Sequence, residues 1–191
     1  MLASLGLALG LALPAQAVVP DDFTANQMCT AQATRECFYS DGTDGDAAHA
    51  KPLNNWSGEK ITLYRDTGSC NGGYVTYDPS HGTGCPFSNS GFDGAFQGKE
   101  IVKFTRWDRF GGCMASTNAN NQAVFYDAQC GTGVRWIWVP AGTTGFHYLV
   151  PVYETDQNGN TQWMRANGLD QVITTAGGCN AGGTDCQWGQ S

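Results

Sequence analysis

The sequence predicts an all-β protein, a barrel of short strands built from three related modules. Three observations point there. Short β-prone runs alternate with clusters of Gly, Asn, Asp and Pro from Ile61 onward. No apolar spacing of 3.6 residues is sustained long enough to require a long helix. A cysteine, β-run, cysteine pattern also recurs along the chain. The 191 residues suit one domain with a small appendage, and 26 glycines supply the turns such a fold needs.

The chain opens on an apolar run, Leu2 to Pro14, followed by Ala15-Gln16-Ala17. The run is shorter than the roughly 20 residues of a membrane-spanning helix. The small-x-small triplet after it is what signal peptidase cuts behind. Residues 1–17 therefore read as a secretory signal peptide, and the product as secreted and extracellular. The eight cysteines, Cys29, Cys37, Cys70, Cys85, Cys113, Cys130, Cys179 and Cys186, all follow that point. An even count in an exported chain reads as a disulfide framework. Eight cysteines allow 105 pairings. The spacing favours neighbours in order, 29–37, 70–85, 113–130 and 179–186.

Residues 18–57 read as an N-terminal extension and loop. Helical character runs from Ala25 to Glu36, and a Gly- and Asp-rich break follows from residue 39 to residue 58. Residues 58–191 form the main domain. Its β runs are Ile61–Tyr64, Tyr74–Tyr77, Ile101–Phe104, Ala123–Tyr126, Val134–Val139, Phe146–Tyr153, Thr161–Met164 and Val172–Thr174.

Two stretches echo each other. Ile61–Tyr64, Cys70, Val75-Thr76-Tyr77-Asp78 and Cys85 parallel Ile101–Phe104, Cys113, Val124-Phe125-Tyr126-Asp127 and Cys130. A third copy aligns Trp163-Met164 with Cys113-Met114 and Gln171 with Gln122. Three copies of about 45 residues bury their inner faces only against one another, as a pseudo-threefold barrel capped by hairpins.

Cys113-Met114, the β run Val124-Phe125-Tyr126, Cys130 and Trp136-Ile137-Trp138 together resemble one repeat of a ricin-type β-trefoil lectin. In that family an opening Cys-Leu, a β run, a second Cys and a closing Gln-x-Trp recur three times. Trp136-Ile137-Trp138 stands here for the closing motif, and Gln187-Trp188 lacks its spacer. Ala115-Ser116 and Asn71-Gly72 fill the stretches where the family places a sugar-binding aspartate. The resemblance implies a β-trefoil-like barrel over residues 58–191 and a lectin-like, carbohydrate-binding role.

Sugar recognition needs an aromatic face beside carboxylate or amide groups. Tyr77-Asp78 and Tyr126-Asp127 place a ring beside an acceptor twice, with Asn120 and Gln122 supplying amides near the second. These six are the expected ligand contacts. The competing reading makes each tyrosine core and each aspartate a turn opener, because strand neighbours face opposite sides. Trp136 and Trp138, two apart, share a strand face and read as barrel core.

Other chemistry finds little purchase. Net charge −7 argues against binding nucleic acid through its phosphates and against docking on anionic membranes. No run after the leader is long enough to insert in a bilayer. The sequence implies no cofactor, metal or catalytic set. The oxygen-rich loops 41–46 and 156–160 fit turns as well as calcium. Cys70 belongs to the disulfide set rather than to a thiol nucleophile. No Gly-x-Ser-x-Gly elbow occurs. His81, His147, Glu100, Glu154 and Asp170 carry no catalytic spacing. Asn55-Trp56-Ser57 is a glycosylation sequon.

The expected function is non-catalytic recognition of an extracellular glycan or glycoprotein. Two alternatives stand beside it. One is a secreted hydrolase, a glycosidase or nuclease, on the same scaffold. The other is a protein-binding module such as an inhibitor or toxin subunit. The sequence sets no oligomeric state.

Overall fold

The computed structural model describes residues 23–39, 48–52, 61–65, 96, 98–106, 112–116, 122–127, 129–131, 134–152, 161–169, 171–176 and 183–190. Fourteen strands lie in these segments. They are β1 (Phe23–Asn26), β2 (Met28–Thr30), β3 (Glu36–Tyr39), β4 (His49–Pro52), β5 (Ile61–Arg65), β6 (Glu100–Arg106) and β7 (Cys113–Ala115). They continue as β8 (Gln122–Ala123), β9 (Phe125–Asp127), β10 (Trp136–Pro140), β11 (Phe146–Pro151), β12 (Trp163–Ala166), β13 (Val172–Thr175) and β14 (Trp188–Gln190). The only helical element assigned a range among them is one 3-10 turn, Thr184–Cys186.

The pairing order is β1-β5-β6-β10-β11-β14-β2. Since β1 and β2 follow each other through Gln27, they act as two halves of one strand and the ring closes. Closure removes the unpaired edges that an open sheet leaves. Three hairpins hang from this ring, β3–β4, β7–β9 and β12–β13.

Three main-chain hydrogen bonds mark the axis between the hairpins. Ala48 N–H donates to the Val124 carbonyl (2.6 Å), Val124 N–H to the Val172 carbonyl (2.9 Å), and Val172 N–H to the Ala48 carbonyl (2.9 Å). All three residues are wholly buried. This cycle fixes which residues are equivalent. Phe38, Met114 and Met164 sit opposite Ala50, Tyr126 and Thr174 in their hairpins. Cys37, Cys113 and Trp163 therefore correspond, as do Tyr39, Ala115 and Arg165. The closing strands repeat a second feature. Trp136 Nε1 donates to the Met114 carbonyl at 2.9 Å, and Trp188 Nε1 to the Met164 carbonyl at 3.0 Å. The barrel is thus β-trefoil-like.

Alternation along the barrel strands sorts two faces. Val102, Phe104, Trp136, Trp138 and Leu149 point inward, into a core with Phe38, Met114, Met164 and Trp188. Ile101, Ile137 and Val150 lie in register on the outer face, under Phe96 and Val152, with Val139 and Trp163 at the edge. Gly189 is fixed by close approach. A Cβ there would lie 2.6 Å from the Gly145 carbonyl oxygen, and Gly145 itself has φ +82°.

The N-terminal segment departs from expectation. Helical character was expected from Ala25 to Glu36, but this stretch forms β2, a turn, and the start of β3. The Cys29–Cys37 bridge explains why. These cysteines face each other across β2 and β3 with Cα atoms 3.9 Å apart. A helix would hold residues eight apart at about 12 Å. Arg35, at φ +41°, turns the chain back, and the Glu36 N–H donates to Thr30 Oγ1 at 3.1 Å. The expected loop 39–58 contains β4, so the segment read as an extension contributes four strands to the sheet. The first module is also phased differently from the echo at Cys70. Cys37 occupies the position of Cys113, and Ala50-Lys51 that of Tyr126-Asp127.

The Cys113–Cys130 bridge forms as expected. Cys186 is also disulfide-bonded. Cys70, Cys85 and Cys179, and with them the 70–85 and 179–186 pairings, lie outside the described residues, as do the signal peptide and the Tyr74–Tyr77 run.

Candidate functional site on the third module

Strand β12 alternates, with Met164 and Ala166 buried and Trp163 and Arg165 facing out. Trp163 stands between two ring edges. Tyr148 of β11 meets it at 5.4 Å and 72°, and Phe96 at 6.0 Å and 63°. Such edge-to-face contacts hold a ring in a fixed orientation. Two residues further, the Arg165 Nε–H donates to Asp185 Oδ2 from the 3-10 turn. That turn leads into Gln187, whose Nε2 donates to the Tyr148 hydroxyl at 3.2 Å.

The patch therefore joins two half-buried aromatic rings, an ion pair and an amide within one module. Its charges are unequally exposed: the Arg165 side chain is 37% accessible and that of Asp185 17%. Gln187 is 3% accessible, and its Oε1 has no hydrogen-bond partner. Gln162, just before Trp163, is wholly buried with both amide atoms unpartnered. A buried polar atom without a partner costs about 1–3 kcal/mol.

Of the contacts expected from sequence, Tyr126, Asp127 and Gln122 lie within the described residues. Tyr126 has no accessible surface and packs in the barrel core, so its ring faces no ligand. Asp127 shapes a turn. Its Oδ1 accepts the Gln129 N–H (3.0 Å) and its Oδ2 the Gly131 N–H (2.8 Å), carrying Cys130 at φ +49° into its bridge. Gln122 is exposed on β8 opposite Thr174. Tyr77, Asp78 and Asn120 lie outside the described residues. Reading Trp163 as a repeat marker hid its outward position. The alternation Trp163-x-Arg165 was the available signal, whereas Tyr148 and Gln187 are brought together only by the fold.

His147 and Glu100, which sequence offers as candidates for catalysis, lie on β11 and β6. His147 stacks on Trp138 with centroids 4.0 Å apart and planes at 24°. Burial lowers its pKa from 6.5 to about 4, so it is neutral at pH 7. Its Nδ1 has no hydrogen-bond partner among the described residues. His81, Glu154 and Asp170 lie outside the described residues. No group of three or more His, Cys, Asp or Glu among the described residues could hold a metal. No described helix is long and apolar enough to cross a membrane.

Comparison with known proteins returns a fold and no family. No family model matches the chain, and no curated protein matches it. Among solved structures it is similar to a designed 3-fold symmetric protein, ThreeFoil. The TM-score is 0.52 at 14% identity, over 87% of this chain and 96% of that one. The likeness concerns fold alone. It spans more of the chain than residues 58–191, in keeping with a first module that begins near Phe23.

Proposed function

We propose that this protein is a secreted, non-catalytic binding module that recognises an extracellular glycan or glycoprotein. The observation that carries the reading is the third-module patch. Its rings, Trp163 and Tyr148, are held half-exposed by mutual packing, and Arg165, fixed by Asp185, shares the outward face of the strand with Trp163. A pyranose has one apolar face and a rim of hydroxyls, and the patch offers a surface for each. The closed barrel supplies a rigid base, which limits the ordering cost of binding. The disulfides suit an oxidising, extracellular setting.

The test is a glycan array probed with the purified chain, repeated with Trp163→Ala and Tyr148→Ala. Binding that either variant weakens about tenfold or more would support the reading. Turnover of a bound glycan, or binding indifferent to both changes, would refute it.

A further inference from the structure

The third module differs from its siblings at one pseudo-symmetric position. Where Tyr39 and Ala115 stand in modules one and two, module three has Arg165. The guanidinium is not loose. Asp185 takes its Nε–H, which fixes the plane of the planar group and leaves the outer N–H edge, on the two Nη atoms, directed away from that carboxylate. The accessibilities agree, since the cation of the pair is the more exposed member. A held guanidinium edge is a donor set, and it complements an acceptor.

Resting on the glycan reading above, we infer that the third-module patch takes an acidic glycan, with the carboxylate or sulfate of one sugar on the Nη edge of Arg165 and its ring against Trp163. Asp185 acts as a positioning residue, since it orients the arginine without touching the ligand. The overall charge of −7 slows the approach of anions. Selectivity then comes from the fork geometry and not from long-range attraction, so binding should be only moderately sensitive to salt.

The experiment is an array carrying neutral, uronate, sialate and sulfated glycans, followed by titration of the best binder against its neutral counterpart (the methyl ester of a uronate or sialate, or the desulfated sugar). Binding concentrated on acidic glycans is expected. The carboxylate and sulfate arms identify the anion. Arg165→Gln should weaken binding about ten- to a hundredfold for the acid, a larger loss than for the neutral counterpart. Asp185→Asn keeps an acceptor for Arg165 and removes a competing negative charge, so affinity for the acid should hold or rise. A purely structural ion pair would make both variants lose affinity together, and thermal midpoints separate misfolding from loss of contact. Equal binding of acid and neutral counterpart, or neutral glycans alone, would overturn the inference and leave the glycan reading standing. No glycan bound at all would overturn both.

Discussion

Acidification should destabilise this protein through His147. In the folded chain burial against Trp138 keeps the imidazole neutral down to about pH 4, while in the unfolded chain it takes a proton near 6.5. Between those values the unfolded state holds a proton that the native state lacks, so stability falls as pH falls through the window. The loss levels off below about pH 4, where the native imidazole is protonated too. The gap from 6.5 to about 4 sets a ceiling of roughly 3 kcal/mol. Solvent at the exposed part of the ring lowers this to about 2 kcal/mol, most of it lost by pH 4.5. Urea unfolding at pH 7.0, 5.5 and 4.5 measures it, with His147→Phe as the control that keeps a ring on Trp138. The carboxylates titrate alike in both proteins, so the stability difference between them isolates the histidine. That difference should shift by about 2 kcal/mol in favour of the variant on going from pH 7.0 to 4.5. Parallel profiles, or an NMR titration placing the His147 midpoint near 6.5, would refute the reasoning.

Three further outcomes follow from the fold. Trp136→Phe strands the buried Met114 carbonyl and leaves a void, and should cost about 3 kcal/mol in urea unfolding. Replacing Cys29 and Cys37 together with Ala opens a loop whose ends are 8 residues apart in sequence. The chain-entropy relation gives a loss of about 2.5 kcal/mol, read as a lowered thermal midpoint. Asp127→Ala removes both side-chain bonds of the 127–131 turn, so it should cost about 1–2 kcal/mol while glycan affinity stays unchanged; reduced affinity at full stability would restore Asp127 as a contact.

Much of the barrel was legible because its strands are long enough to display a pattern. Ile101–Phe104, Val134–Val139 and Phe146–Tyr153 overlap β6, β10 and β11, where β-branched and aromatic residues recur. The short elements were not. Strand β14 is Trp188-Gly189-Gln190, in which only the tryptophan favours a strand, and it exists because Cys29 and Phe146 pair with Gly189 from either side. Module one was hidden for a related reason. Cys37-Phe38-Tyr39 and Ala48 share only a cysteine with their counterparts, whereas their equivalence rests on backbone bonds. The Tyr126-Asp127 echo was real as a local pattern, but strand alternation sends the ring inward and the turn claims the carboxylate. The patch on module three joins residues as far as 39 positions apart, a distance no local motif spans.

The cycle linking Ala48, Val124 and Val172 has an evolutionary meaning. It is made of peptide groups alone, and peptide groups are blind to substitution. Once such a ring holds three lobes together, each lobe is released from resembling the others. One can acquire a sulfur clasp, as at Cys113 and Cys130, and another an arginine and a tryptophan turned toward the outside. Kinship of shape then outlives kinship of sequence, and a symmetric body can carry a single specialised face.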